Sequence, residues 1–161
     1  MKKLLIISLI SLIMLTTFTA AFAQKSEEEV NITMDFLKGI IYRETDQGFF
    51  DFFKIQVWTR LLDNAAINKG YTIKTASDSQ LILEVGGNNK VELKEETILK
   101  LGENLSSAAQ KFTVKKGRVL FNTNLNPEQD FDIEIETAHS IINTNHAILT
   151  IEVNEYRTLL S

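Results

Sequence analysis

The chain has 161 residues, 44% hydrophobic and 24% charged, with 17 basic against 21 acidic side chains and a net charge of −4. That balance suits one globular domain, and with no basic cluster larger than Lys115-Lys116 plus Arg118 it argues against a nucleic-acid backbone as partner. No cysteine is present, so an oxidising compartment adds no disulfide and the core alone must hold the fold.

Lys2 and Lys3 precede an uncharged run from Leu4 to Phe22 that ends in Ala21-Phe22-Ala23. A basic start, an apolar middle and a small-residue exit predict a secretory signal peptide over residues 1–23. The run approaches the roughly 20 residues that span a bilayer, but Ser8, Ser11, Thr16, Thr17 and Thr19 interrupt it and favour cleavage over anchoring. Membrane contact is expected only if the segment stays uncleaved. No cysteine follows the run, which excludes a lipid anchor through an N-terminal cysteine. Without residues 1–23 the chain keeps 15 basic and 21 acidic side chains, a net charge of −6.

Residues 24–38 read as a polar leader, QKSEEE, and a first strand in which Val30, Ile32, Met34 and Phe36 alternate with Asn31, Thr33 and Asp35, although Phe36-Leu37-Lys38 could also open a short helical turn. Phe49, Phe50, Phe52, Phe53 and Trp58 follow, and aromatics in a small β domain are expected in the core. Leu61 to Lys69 is the one piece where a helix is an option, but it is short, and Asp63-Asn64 and the following Gly70 favour a bend. From Gly70 to Leu101 the alternation is strict: Leu81, Leu83, Val85, Val91, Leu93, Thr97, Leu99 and Leu101 face inward, with Gln80, Glu84, Glu92 and Lys100 outward. Gly86-Gly87-Asn88-Asn89 breaks the pattern as a hairpin turn.

Gly102 to Gln110 reads as a polar loop. Lys111–Val114 and Arg118–Asn122 are predicted to form a further hairpin around a Lys115-Lys116-Gly117 turn, with Phe112, Val114, Val119 and Phe121 inward. A loop carries the single proline, Pro127. Phe131, Ile133, Ile135 and then Ala147, Leu149, Ile151 and Val153 alternate to the end. Short strands separated by turn residues predict an all-β fold, antiparallel strands and hairpins in a sandwich or a solenoid-like wrap.

Candidate chemistry is sparse. His139 and His146 are the only histidines; with Glu136 or Asn145 they could approach a metal, but a third ligand at good spacing is missing. Ser79 and Ser140 lack a triad pattern. Asp130, Asp132, Glu134 and Glu136 alternate along one strand, as a Ca²⁺ row or, more simply, a solvated face that discourages edge pairing. Lys115, Lys116 and Arg118, placed at a hairpin tip, suit an anionic glycan or lipid head group or, more simply, a soluble turn. No cofactor and no enzymatic activity are expected.

Trp58 with Ala65-Ala66-Ile67, Gly70-Tyr71-Thr72-Ile73-Lys74-Thr75, Asp78-Ser79-Gln80-Leu81-Ile82-Leu83, Val91-Glu92-Leu93, Thr97-Ile98-Leu99-Lys100-Leu101, Lys116-Gly117-Arg118-Val119, Ile135-Glu136-Thr137-Ala138 and Asn143-Thr144-Asn145-His146-Ala147 follow one another over roughly Gly39 to Val153. In that order they resemble the FecR domain family, exported bacterial β domains first known from regulators of iron uptake. Thr137-Ala138 replaces the family's usual Thr-Pro, and Asn143-Thr144-Asn145-His146 its Gly-Thr-x-Phe, with Asn143 expected to supply a left-handed turn in place of glycine. The iron-uptake regulators contact a sigma factor through a cytoplasmic region ahead of the signal; with the signal placed at residues 1–23, a direct sigma-factor role is not expected here.

The resemblance implies a FecR-like β domain over residues 39–161, exported to the periplasm or beyond. It also implies a non-enzymatic role, binding another cell-envelope protein in signalling or scaffolding. Lys115, Lys116, Arg118, Asn143 and His146 are the candidate interaction residues. The alternative is a carrier of a small envelope lipid or glycan in a groove lined by the Phe49–Trp58 aromatics.

Overall fold

The computed structural model describes residues 30–48, 54–63, 65–86, 89–103, 109–123, 132–145 and 147–161. Twelve strands are found among them: β1 Ile32–Lys38, β2 Ile41–Gly48, β3 Lys54–Arg60, β4 Thr72–Thr75, β5 Gln80–Val85, β6 Asn89–Leu93, β7 Ile98–Leu101, β8 Ala109–Asn122, β9 Asp132–Thr137, β10 Ile141–Thr144, β11 Ile148–Val153 and β12 Thr158–Leu160. No described residue is helical, and among them no helix is long and apolar enough to cross a membrane.

The strands form one curled sheet, a half-barrel, folded at a crease into two layers. One layer runs β1-β5-β6-β8-β11-β12 and the other β3-β2-β4-β7-β8-β9-β10, with β8 in both. Every pairing is antiparallel except β8 with β9. Apolar side chains from the two inner faces make one core. Leu81, Leu83, Val91, Leu93, Val119, Phe121 and Ile151 come from the first layer, and Ile41, Ile73, Leu99, Leu101, Phe112, Ile133 and Ile135 from the second. The fold thus has the shared core of a sandwich and the corner-turning of a wrap.

Four of the segments that pass from one layer to the other do so through a left-handed residue: Gly39 (φ 84°) between β1 and β2, Asp78 (φ 54°) between β4 and β5, Glu96 (φ 53°) between β6 and β7, and Gly117 (φ 94°) inside β8. They stand side by side along the crease. A Cβ on Gly39 would meet Ser79 Oγ at 2.3 Å, the Asp78 amide donates to Glu95 Oε2 at 3.0 Å, and a Cβ on Gly117 would meet Thr97 Cα at 2.5 Å. Glycine is required at Gly39 and Gly117 twice over, by backbone angle and by contact.

Buried threonines satisfy the backbone groups that the crease leaves without a ladder partner. Thr75 Oγ1 accepts from the Thr97 amide at 2.9 Å and donates to Lys94 O at 2.6 Å. Thr97 Oγ1 in turn accepts from the Arg118 amide at 3.0 Å and lies 3.1 Å from Arg118 O and 3.3 Å from Glu95 O. Thr97→Val keeps the shape but orphans the Arg118 amide, so a loss of about 1–3 kcal/mol is expected. A thermal melt of the variant against the parent chain checks it.

The structure corrects several local expectations. Lys115-Lys116-Gly117 is not a hairpin turn: β8 continues through it, bends at Gly117 and changes layer. Phe36 does not follow Ile32 and Met34 inward, because a register shift at Asp35 pairs Phe36 with Ile82 and Leu37 with Leu81, turning Leu37 to the core and Phe36 out. Of Leu61 to Lys69 the described residues are non-helical, with turns at Asp63 and at Lys69-Gly70 as the bend residues favoured, and buried Leu61 and Ile67 anchor them. Asn89 and Gln110 belong to strands and point inward, buried, rather than lying in turn and loop. Trp58 lies half-buried on the outer face of β3 instead of in the core, with the Lys74 ammonium 5.6 Å from its ring centre. Phe49, Phe50, Phe52, Phe53, Asp130 and Phe131 lie outside the described residues.

Candidate interaction surface

At the crease the outer surface forms an open cleft of about 710 Å³. Lys38, Asp78, Ser79, Gln80, Lys94, Glu95, Glu96, Lys116, Gly117, Arg118, Glu152 and Val153 line it. The left-handed turns at Asp78 and Glu96 hold carboxylates at its rim in a conformation that non-glycine residues seldom adopt. Such strain persists only where the surrounding structure imposes it, here through the Asp78–Glu95 bond and the Glu96 amide's bond to Ala76 O at 3.2 Å.

Much of the cleft's polarity is internally satisfied. Arg118 donates from Nε (3.1 Å) and Nη2 (2.8 Å) to one oxygen of Glu152, while Lys94 and Gln80 both bond Glu92. Ser79 Oγ accepts the Ile40 amide at 2.9 Å and donates to Ser77 O at 3.0 Å. That hydroxyl ties the crease together. Lys38 and Lys116, in contrast, are exposed and have no carboxylate within 4 Å among the described residues.

The five residues singled out from sequence are not gathered in one place. Lys116 and Arg118 share the crease cleft. Lys115 is the extra residue of a bulge, since Ile98 pairs with Lys116 and Leu99 with Val114, and it lines a separate depression of about 500 Å³ with Glu44, Tyr71, Lys100 and Glu103. Asn143 sits on β10 opposite Glu134 and does not adopt the left-handed turn expected of it. The chain reverses earlier, at residues 138–140, where Thr137 Oγ1 accepts the His139 and Ser140 amides at 3.2 and 3.0 Å. That hydroxyl-capped turn needs no glycine substitute. His146 lies outside the described residues.

His139 Nε2 lies 3.3 Å from Asn154 O, and among the described residues no group of three or more His, Cys, Asp or Glu is placed to hold a metal. On the acidic strand Glu134 and Glu136 face Lys111 across the parallel β8–β9 pair, at 2.7 and 3.4 Å. Hydrogen bonding to Glu134 and then Glu136 raises the Lys111 pKa above its ordinary value, so the ammonium stays charged at neutral pH. Glu134 and Glu136 thus form a salt-bridged part of the outer face.

Sequence reasoning missed the outward partners of Lys116. Register places Arg60 beside Tyr42, Tyr42 beside Lys74, Lys74 beside Ile98 and Ile98 beside Lys116, on five adjacent strands. No local motif announces this row, since its cations are separated by 14 and 42 positions in the chain.

No curated protein and no solved structure matches the chain. The family model described as FecR protein matches residues 71–157, from the residue before β4 to the turn before β12. That match takes in the corners at Asp78, Glu96 and Gly117 and covers more than half of the sequence, and the chain accordingly belongs to the FecR family.

Proposed function

We propose that the chain is an exported, non-enzymatic FecR-type module that binds another cell-envelope protein, in signalling or scaffolding. The observation that carries this reading is the crease. Its hydroxyls are committed to backbone bonds, as Ser79 and Thr97 are, while Lys38 and Lys116 project from it with no carboxylate partner among the described residues. A surface of that kind offers contacts and charge, and no activated nucleophile or base. The signal-like residues 1–23 support export.

The carrier reading draws less support. Trp58 is on the outer face beneath Lys74, away from any groove between the layers.

In-cell crosslinking of the tagged protein in its native envelope, followed by intact-mass analysis, tests the proposal. Reproducible capture of one envelope protein by a bait lacking residues 1–23 is expected. A bait that carries a lipid or glycan mass and captures no protein would sink the reading.

A further inference from the structure

The row Arg60–Tyr42–Lys74–Ile98–Lys116 crosses β3, β2, β4, β7 and β8 on one outer face. Three of its five members are cationic and none is acidic, in a chain whose net charge is −4. None of the three cations has a carboxylate partner among the described residues; Lys74 instead lies over Trp58. Acidic groups stand close by but off the row, Glu44 beside Trp58 and Glu96 in the crease cleft with Lys116.

The cations occupy every second strand. Adjacent strands are about 4.8 Å apart, so Arg60, Lys74 and Lys116 recur at about 9.6 Å along a line perpendicular to the strands. A polypeptide in the polyproline II conformation has three residues per turn and rises about 3.1 Å per residue, which brings every third side chain to the same side at about 9.3 Å intervals. A β-conformation ligand does not match, because its third residue points to the opposite face.

We infer that this face docks an extended, polyproline-like acidic segment of a partner protein with a carboxylate at every third residue, laid across the strands from Arg60 to Lys116. The inference rests on the protein-binding reading above and supplies its chemistry. Tyr42 and Ile98 lie between the cations and offer apolar contact to the residues between the carboxylates. Such recognition uses the sheet face, leaving the edges of β10 and β12 free.

The test uses two synthetic peptides of one composition, acetyl-Glu-Pro-Pro-Glu-Pro-Pro-Glu and acetyl-Glu-Glu-Glu-Pro-Pro-Pro-Pro. Fluorescence anisotropy with the full mature chain at low salt reads their affinities. The spaced peptide is expected to bind at least tenfold tighter than the clustered one. Lys74→Glu and Lys116→Glu should each cost it at least tenfold, while Lys90→Glu on the other layer costs nothing. Lys74→Gln keeps a stem over Trp58 and should weaken binding too if Lys74→Glu misfolds. Equal affinity for the two peptides, or indifference to both Lys74 variants, would overturn the inference. Tighter binding of a heparin oligosaccharide than of either peptide would overturn it in favour of an acidic glycan. Failure of the peptides alongside capture of an envelope protein in cells would overturn this docking chemistry alone.

Discussion

Gly117→Val is expected to remove most of the stability of the domain. At φ 94° a side chain is strained, at about 1–3 kcal/mol. The added Cβ would also stand 2.5 Å from Thr97 Cα and 2.9 Å from Glu96 O, both backbone atoms that no rotamer change can move. Relief would require separating β8 from β7 at the crease, with loss of the Thr97–Arg118 bonds. Together these effects reach about 4 kcal/mol or more, against a total of about 5–15 kcal/mol for a typical domain. Urea denaturation by circular dichroism checks it: the midpoint should collapse, or the variant should be unfolded without urea. A midpoint near that of the parent chain would show that the corner at Gly117 is not what joins the layers.

Phe112→Ala comes second. Phe112 on the first half of β8 and Phe121 on the second are fully buried, and their rings meet edge to face at 5.3 Å and 61°. They link the two layers from within the strand that both share. Truncating a buried phenylalanine costs about 3–5 kcal/mol through lost transfer energy and the cavity left behind. Phe121→Ala should cost the same range, and the double variant less than the sum by about 0.5–1.5 kcal/mol, the ring–ring contribution. A double-mutant cycle in urea measures this; strict additivity would contradict the contact.

The core was legible in the sequence and the crease was not. Leu81 to Leu101 alternates strictly, and burying one face of a strand leaves a single register in which all those residues point inward. The same logic placed Phe112, Val114, Val119 and Phe121 correctly even though the hairpin between them does not exist. Lys-Lys-Gly carries the local chemistry of a turn. Whether the chain reverses there or bends and runs on depends on which strands wait beside it, and β6 and β11 are remote in sequence. Phe36 was misplaced by the bulge at Asp35, which one strand's pattern cannot reveal. Asn143 was misread because Thr137 caps the preceding turn by hydroxyl, a function that the Thr-Pro to Thr-Ala difference does not touch.

The candidate surface was legible only at one end. Lys115, Lys116 and Arg118 stood out as a cluster, yet the fold sends them to two depressions and pairs Arg118 with Glu152. Arg60 and Lys74 carry no local signal of a shared surface, since they join Lys116 only through four strand pairings. The threonines of the crease were hidden for a related reason. By its sequence Thr97 is one more inward residue of an alternating strand, and its bond to the Arg118 amide spans 21 positions.

The most direct measurement of the central claim places a photocrosslinking amino acid at position 116, and separately at position 90, in the protein expressed in its own envelope. The account predicts one reproducible protein adduct from position 116 and none from position 90, on a bait whose mass lacks residues 1–23. The same adducts from both positions, or none from position 116 under conditions where position 90 reacts, would contradict it.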